Sequence, residues 1–357
     1  MPTLPTLLAY GSFLALVSAM LALDLGVFHR KAKEESLASA MGWTVVWIAM
    51  AGLFAVFVFF AYENHWLDLG LQVPQLGGAA RDVSGATAFQ QFVTGYLLEK
   101  SLSMDNVFII SVLFTSFGVP RAFQHRTLFW GIVGAVLLRG LLIGVGAELV
   151  HRFDWILVLF GAFLVFTAIK MQLAKEGEDG DPLQNPAVRL ARRFLPVSKG
   201  FDGSKFFTVE NGRQMATPLL LTLAAVEFTD LIFALDSIPA VFGVTHDPFI
   251  VLTSNIFAVL GLRALYFCLA AMVKLFHYLK PALVLILLFI GVKLMLQTGP
   301  EHAAQLLKKL GAGDFAWGNL HFPDWLSLTV VGALLGGAIG LSFILKPKAE
   351  DNPGDGI

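Results

Sequence analysis

The sequence predicts an all-α polytopic membrane protein with about nine transmembrane helices and, inside it, two inverted three-helix repeats. Three observations predict it. The 357 residues are 56% apolar and only 14% charged, a balance typical of chains that cross a bilayer repeatedly. The charges gather in short segments between apolar runs, and nine of these runs reach the ~20 residues that one helical crossing takes. Ionisable residues, rare inside spans, recur in the same order in two parts of the chain.

The transmembrane domain is expected over 1–348. Its first helix spans 6–27; no Lys or Arg precedes that run, which is also long for a signal peptide, so it is read as a retained helix. A second helix spans 42–61, and runs centred near Leu102, Leu137 and Gly161 make repeat one over 88–173. The polar 174–214 segment, with "KEGEDGDP", is expected to be a mostly flexible cytoplasmic loop joining the copies. Runs centred near Glu227, Gly261 and Leu287 make repeat two over 215–298, the last helix spans 326–345, and 349–357 is a tail.

Basic residues fall in alternate connections: Arg30, Lys31 and Lys33; Arg121 and Arg126; the 174–214 loop; Lys274 and Lys280; Lys346 and Lys348. The positive-inside rule then places the N-terminus outside and the C-terminus in the cytoplasm.

The repeat rests on short matches. "EKSLSMDN" sets Glu99 and Asp105 six apart, as "DLIFALDS" sets Asp230 and Asp236. "AVLLRGLL" and "VLGLRALY" align Arg139 with Arg263, and "FTAIKMQ" and "FIGVKLM" align Lys170 with Lys293. Three helices per copy make the second copy cross in the opposite sense, the arrangement of transporters whose central site opens to either side.

Composition also excludes function classes. Cys268 is the only cysteine, which rules out disulfides within the chain and thiolate metal cages. Basic residues sit at helix ends rather than in one patch, so no nucleic-acid partner is expected. There is no G-x-x-x-x-G-K-[ST] motif for ATP. No nucleophile–base or catalytic-metal constellation suggests an enzyme.

Glu99, Asp105, Glu227, Asp230 and Asp236 lie inside these runs. A charge near the bilayer centre costs about 2.5–3.5 kcal/mol, so they must face one another, a cation or water. At about 100° per residue Glu227 and Asp230 share a face, whereas Asp236 lies about 120° round from Asp230, as Asp105 does from Glu99. Pro239 gives no N–H to the Leu235 carbonyl, so the sixth helix is expected to kink or unwind beside Asp236 and free an oxygen. In the third run, polar support comes from Ser101, Ser103 and Asn106. The bland alternative pairs the acids with Lys100, Arg139, Arg263, Lys170 and Lys293 to lock the bundle. Lys170 and Lys293, however, sit near enough to helix ends to snorkel, and Arg139 and Arg263 are expected to point into the bundle as counter-charges.

Carboxylate, carboxamide and backbone oxygens suit calcium, magnesium or manganese. Met104 is the one soft atom at hand, a ligand or plain packing. Asp24, in "LALDLGVFHR", either joins the pathway or caps its helix and meets Arg30. The repeat makes Asp105 and Asp236 the expected ligands of one divalent cation, supported by Glu99, Glu227 and Asp230.

The motifs "EKSLSMDNVF", "EFTDLIFALDSIPAVF", "LDLGVFHR" and "SNIFAVLGLRALYF" resemble those of the TerC family of membrane proteins, and within it the Alx-type manganese exporters, over about residues 10 to 345. The resemblance implies manganese export and a metal site at Glu99, Asp105, Asn106, Glu227, Asp230 and Asp236. It also implies a bacterial inner-membrane location. The expected function is a secondary transporter moving manganese or a related divalent cation out of the cytoplasm, with protons as counter-substrate because crowded carboxylates exchange protons as well as metal ions. No resident cofactor is expected, only the transported ion and the lipid bilayer as partners. Family members are also associated with tellurite resistance and membrane-protein assembly, so the alternative is a membrane scaffold linked to tellurite or metal stress.

Overall fold

Helices account for nearly all of the regular structure, as uninterrupted apolar sequence in a bilayer demands, because a helix satisfies its own backbone groups. The computed structural model describes residues 3–26, 37–75, 78–153, 155–173, 188–189, 193, 196–210, 212–270, 278–309, 320 and 322–344. In chain order the elements are α1 (Leu4–Gly26), α2 (Leu37–Glu63), a small hairpin of β1 (Val73–Gln75) and β2 (Gly78–Arg81), α3 (Gly85–Ser116), α4 (Arg121–Arg152) and α5 (Ile156–Leu173). A second hairpin of β3 (Phe207–Glu210) and β4 (Arg213–Ala216) precedes α6 (Pro218–Phe242), α7 (Pro248–Val259), α8 (Leu262–Ala270), α9 (Leu279–Lys309) and α10 (Asp324–Ile344). Among the described residues, 8 stretches are long and apolar enough to cross a membrane: α1, α2, α4, α5, α6, α7 with α8, α9 and α10. The remaining predicted run is α3, a 32-residue helix whose apolar character is interrupted by Glu99, Lys100 and Asp105.

Caps fix where the inner helices start. Ser84 accepts the Thr87 N–H at the head of α3, and Glu63 takes the Gly85 N–H at 2.9 Å. Asp247 accepts the Phe249 and Ile250 N–H groups ahead of α7, with Pro248 in the first turn.

The seventh predicted span is not one helix. It breaks at Gly261, whose φ of 79° lies in the left-handed region and whose Cα presses on Trp47 so closely that an added Cβ would fall 2.5 Å from the indole. Glycine alone meets both demands. The sixth span, expected to kink or unwind at Pro239, does not unwind: it stays helical through the proline, closing with the Gly243 N–H on the Pro239 carbonyl at 3.0 Å. The break therefore lies in α7–α8, within a stretch whose window is wholly buried.

Packing exchanges partners between the two sets of three. The first helix of each set lies against the second of the other, α3 on α7 and α6 on α4, while α3 meets α6 and α5 meets α9. At the α5–α9 crossing the backbones touch: a Cβ on Gly161 would lie 2.8 Å from the Gly291 carbonyl, and one on Gly291 2.8 Å from the Gly161 carbonyl. Around this centre α2 flanks α3 and α8, and α10 covers α3 and α9. Phe13, Phe54, Phe92 and Phe257 knit α1 and α2 to the inner helices, the closest rings being Phe54 and Phe257 at 4.5 Å.

Part of the predicted cytoplasmic loop is ordered structure. The β3–β4 hairpin pairs Phe207 with Ala216 and Glu210 with Arg213, and it is pinned to α4 by Arg126 over the Phe206 ring at 4.9 Å and by Phe123 against Phe201. "KEGEDGDP", Arg30 and the 349–357 tail lie outside the described residues.

Candidate cation site

Arg139 on α4 is almost wholly buried, at 1% exposure. Its Nη2 donates to Asp230 Oδ1 at 2.9 Å and its Nε to Asp230 Oδ2 at 3.2 Å, a forked pair with α6. Its Nη1 donates to Glu99 Oε1 of α3 and to Asn255 Oδ1 of α7, the latter at 3.3 Å. Asn255 is held in turn, because its Nδ2 donates to the Val251 carbonyl at 3.1 Å. One guanidinium thus ties α3, α6 and α7 to α4.

Lys100 does not join this pair. It is buried, and its Nζ donates to the Ala258 carbonyl at 3.1 Å. That carbonyl would bond to residue 262 in an unbroken helix, so the break at Gly261 leaves it open at the C-terminal end of α7, where a cation is favoured.

Several buried oxygens on α3 and α6 have no hydrogen-bond partner among the described residues: Glu99 Oε2, Asn106 Oδ1 and Glu227 Oε2, with the Ser103 and Ser237 hydroxyls. Glu227 shares the Asp230 face of α6 and lays its carboxylate against Gly134 of α4. Such groups normally find partners, since each one left bare costs about 1–3 kcal/mol.

The other predicted residues are placed differently. Asp236 is half-buried and faces Thr167 and Lys170 of α5, because continuous α6 preserves its rotation away from Asp230. Arg263 is buried, and its guanidinium meets His125 of α4. Met104 is half-buried against apolar core. Lys293, expected to snorkel, is instead buried, donating to Ser327 Oγ at 2.8 Å and to the Gly243 carbonyl at 3.3 Å, since α10 closes over it. The side chains of Asp24 and Asp105 lie outside the described residues. Among the described residues, no group of three or more His, Cys, Asp or Glu gathers closely enough to hold a metal ion. Chemically, the arrangement offers carboxylate and carboxamide oxygens to a hard cation and sets beside them an arginine that holds some of the same oxygens.

Sequence reasoning missed Asn255, Gly134 and His125. Asn255 did carry a signal, as the single amide in the buried 248–268 span.

A second polar cluster lies at the far end of α6, in the turn to α7. Asp247 accepts the Tyr62 hydroxyl at 2.7 Å, and Thr245 donates to Gln91 Oε1 at 2.6 Å. His246 is half-buried there, with its Nε2 buried and without a partner among the described residues. Burial, with the Lys293 charge adding to it, lowers its ring pKa to about 4.

Comparison with known proteins agrees with this architecture. The family model described as "Integral membrane protein TerC family" matches residues 84–349. The chain is 43% identical over 346 residues to an uncharacterized membrane protein, STKORF319, of Myxococcus xanthus, covering 97% of this chain and 95% of that one. It is 45% identical over 298 residues to the "Putative membrane-bound redox modulator Alx" of Escherichia coli K12, covering 83% of this chain and 88% of that one. No solved structure matches the chain.

Proposed function

Since the chain belongs to the TerC family of integral membrane proteins, we propose that it is a secondary transporter that exports manganese, or a related divalent cation, through the acidic centre between its two sets of three helices. The observation that carries this reading is the bare oxygen of Glu227 beside the Glu99–Arg139–Asp230 pair. Two carboxylates bind one guanidinium there and a third, Glu227, stands beside Asp230 on α6, so a divalent cation would balance the charge left over. Hard oxygen donors favour manganese, magnesium or calcium over softer metals.

The partner exchange between α3, α4 and α6, α7 supports an inverted repeat, and the broken α7–α8 span is the kind of interruption that lines transporter sites. In this mechanism the cation takes oxygens that Arg139 otherwise holds, and the guanidinium returns to them once the cation leaves to the other side. Asp105 and Asp236, six residues along from Glu99 and Asp230, are the proposed way stations on opposite sides of the centre. Protons are the proposed counter-substrate, and the proposed setting is the bacterial inner membrane with the C-terminus in the cytoplasm.

A second reading is favoured by the completeness of the Arg139 bonds: a membrane scaffold in which the ion pair only locks helices together. The relatives named as redox modulators fit neither reading directly. A dithiol switch within one chain needs two cysteines, and this sequence has one.

Glu227 separates the readings, because it stands outside the Arg139 pair. Purified protein in liposomes should carry manganese, and Glu227→Gln should abolish the flux with an unchanged yield of folded protein. Asp230→Asn should also abolish flux, with some loss of yield, since breaking a buried pair costs about 3–5 kcal/mol. Normal flux in both variants would sink the transport site and leave the scaffold.

A further inference from the structure

The inner face of α4 has a slot with the shape of a missing methyl group. At Gly134 an added Cβ would fall inside the volume of the Glu227 carboxylate, closest to Oε1. The atoms it would meet belong to the far end of a flexible side chain, not to backbone. A methyl there leaves the α4–α6 backbones in place and drives out the carboxylate alone. On the same helix Gly144 has nothing within 4 Å of its virtual Cβ, so not every glycine of α4 serves close contact. Glu227, meanwhile, has both carboxylate oxygens in this slot, and its Oε2 is buried there without a partner among the described residues.

From this we infer that Gly134 is a positioning residue for the cation: by lacking a side chain it seats the whole Glu227 carboxylate against α4, where its unpartnered Oε2 is held for the ion. This rests on the transport reading and deepens it, since it says which residue sets the reach of the ligand that α6 extends. The aspartate side chain is one methylene shorter, so in a Gly134→Ala background it would draw the carboxylate back from the new methyl group. The pair Gly134→Ala and Glu227→Asp should therefore behave as lock and compensation rather than as two independent losses.

The test measures manganese flux against manganese concentration, folded yield, and the rate at which a hydrophobic carbodiimide labels Glu227, read by mass spectrometry. Gly134→Ala should fold at wild-type yield, raise the half-saturating manganese concentration about tenfold or more, and change the labelling of Glu227 severalfold. Gly144→Ala should match the wild type in all three. Adding Glu227→Asp to Gly134→Ala should recover a substantial part of the lost affinity, which a general packing defect would not do. Wild-type saturation and labelling in Gly134→Ala, or a double variant no better than Gly134→Ala, overturns the inference. If the wild type carries no divalent cation while labelling still shifts in Gly134→Ala alone, the slot stands and the transport reading falls.

Discussion

A guanidinium buried in a membrane bundle is tolerable only where its N–H groups find oxygens, and Arg139 finds them on three helices other than its own. A lysine there would bring one point charge and lose the fork that holds Asp230. His246 shows the same accounting from the opposite side, because burial keeps it neutral. Its folded pKa of about 4 lies below the value of about 6.5 for a free imidazole. The unfolded chain therefore takes up the proton first, and the stability that neutral His246 contributes is intact above that free value and lost as pH falls towards the folded one. Its neighbour Asp247 acts in the opposite sense: burial raises its carboxyl, against the pull of Tyr62 and of the Phe249 and Ile250 amides, so its contribution is lost as pH rises. Comparing wild type with His246→Gln isolates the first effect. Melting measured at about pH 7 and about pH 5 should show the wild type losing about 2 kcal/mol more than the variant. Equal losses would remove His246 from the account.

Among the elements, the α5–α9 crossing is an exacting contact, because backbone meets backbone and neither side can withdraw as a side chain can. Gly→Ala inside a helix ordinarily stabilises by up to about 1 kcal/mol. Gly291→Ala should reverse that sign and destabilise by about 1–3 kcal/mol through overpacking, whereas Gly332→Ala on α10, with open space around it, should not. Melting temperatures of the two variants in detergent decide it; equal shifts would mean that the helices separate freely. The crossing also marks what the sequence made legible. Helix positions, the recurring acids and the inward Arg139 follow from hydropathy and from the expense of charge in lipid, both local properties. The break at Gly261 does not: in the sequence it is one of 34 glycines, and only Trp47, distant in the chain, makes its geometry necessary. Pro239 carried the louder local signal and proved compatible with helix. Glu227 and Asp230 shared a face as the helical repeat requires, but the fit of Glu227 against Gly134 depends on a neighbouring helix.

For the molecule as a whole, the exchange of partners between the two sets of three leaves α5 and α9 as the place where the third helices meet. A joint made of two glycine backbones has no rotamers to rearrange and little room to slide, but it can turn. Leu173 is 12 residues from Gly161 and Lys280 is 11 from Gly291, distances of roughly 16–18 Å along each helix. A turn of about 10° at the glycines therefore moves either end by about 3 Å, enough to open or close a path for a bare ion while the joint stays still. Cysteines introduced at Leu173 and Lys280 should accordingly be cross-linked by thiol reagents at a rate that changes when manganese is added, while a pair placed one turn from the glycines keeps its rate. The same change at both pairs would mean that the helices part bodily. A fulcrum so narrow gives leverage without a flexible loop: a contact two glycines wide sets the length of the arm on either side of it.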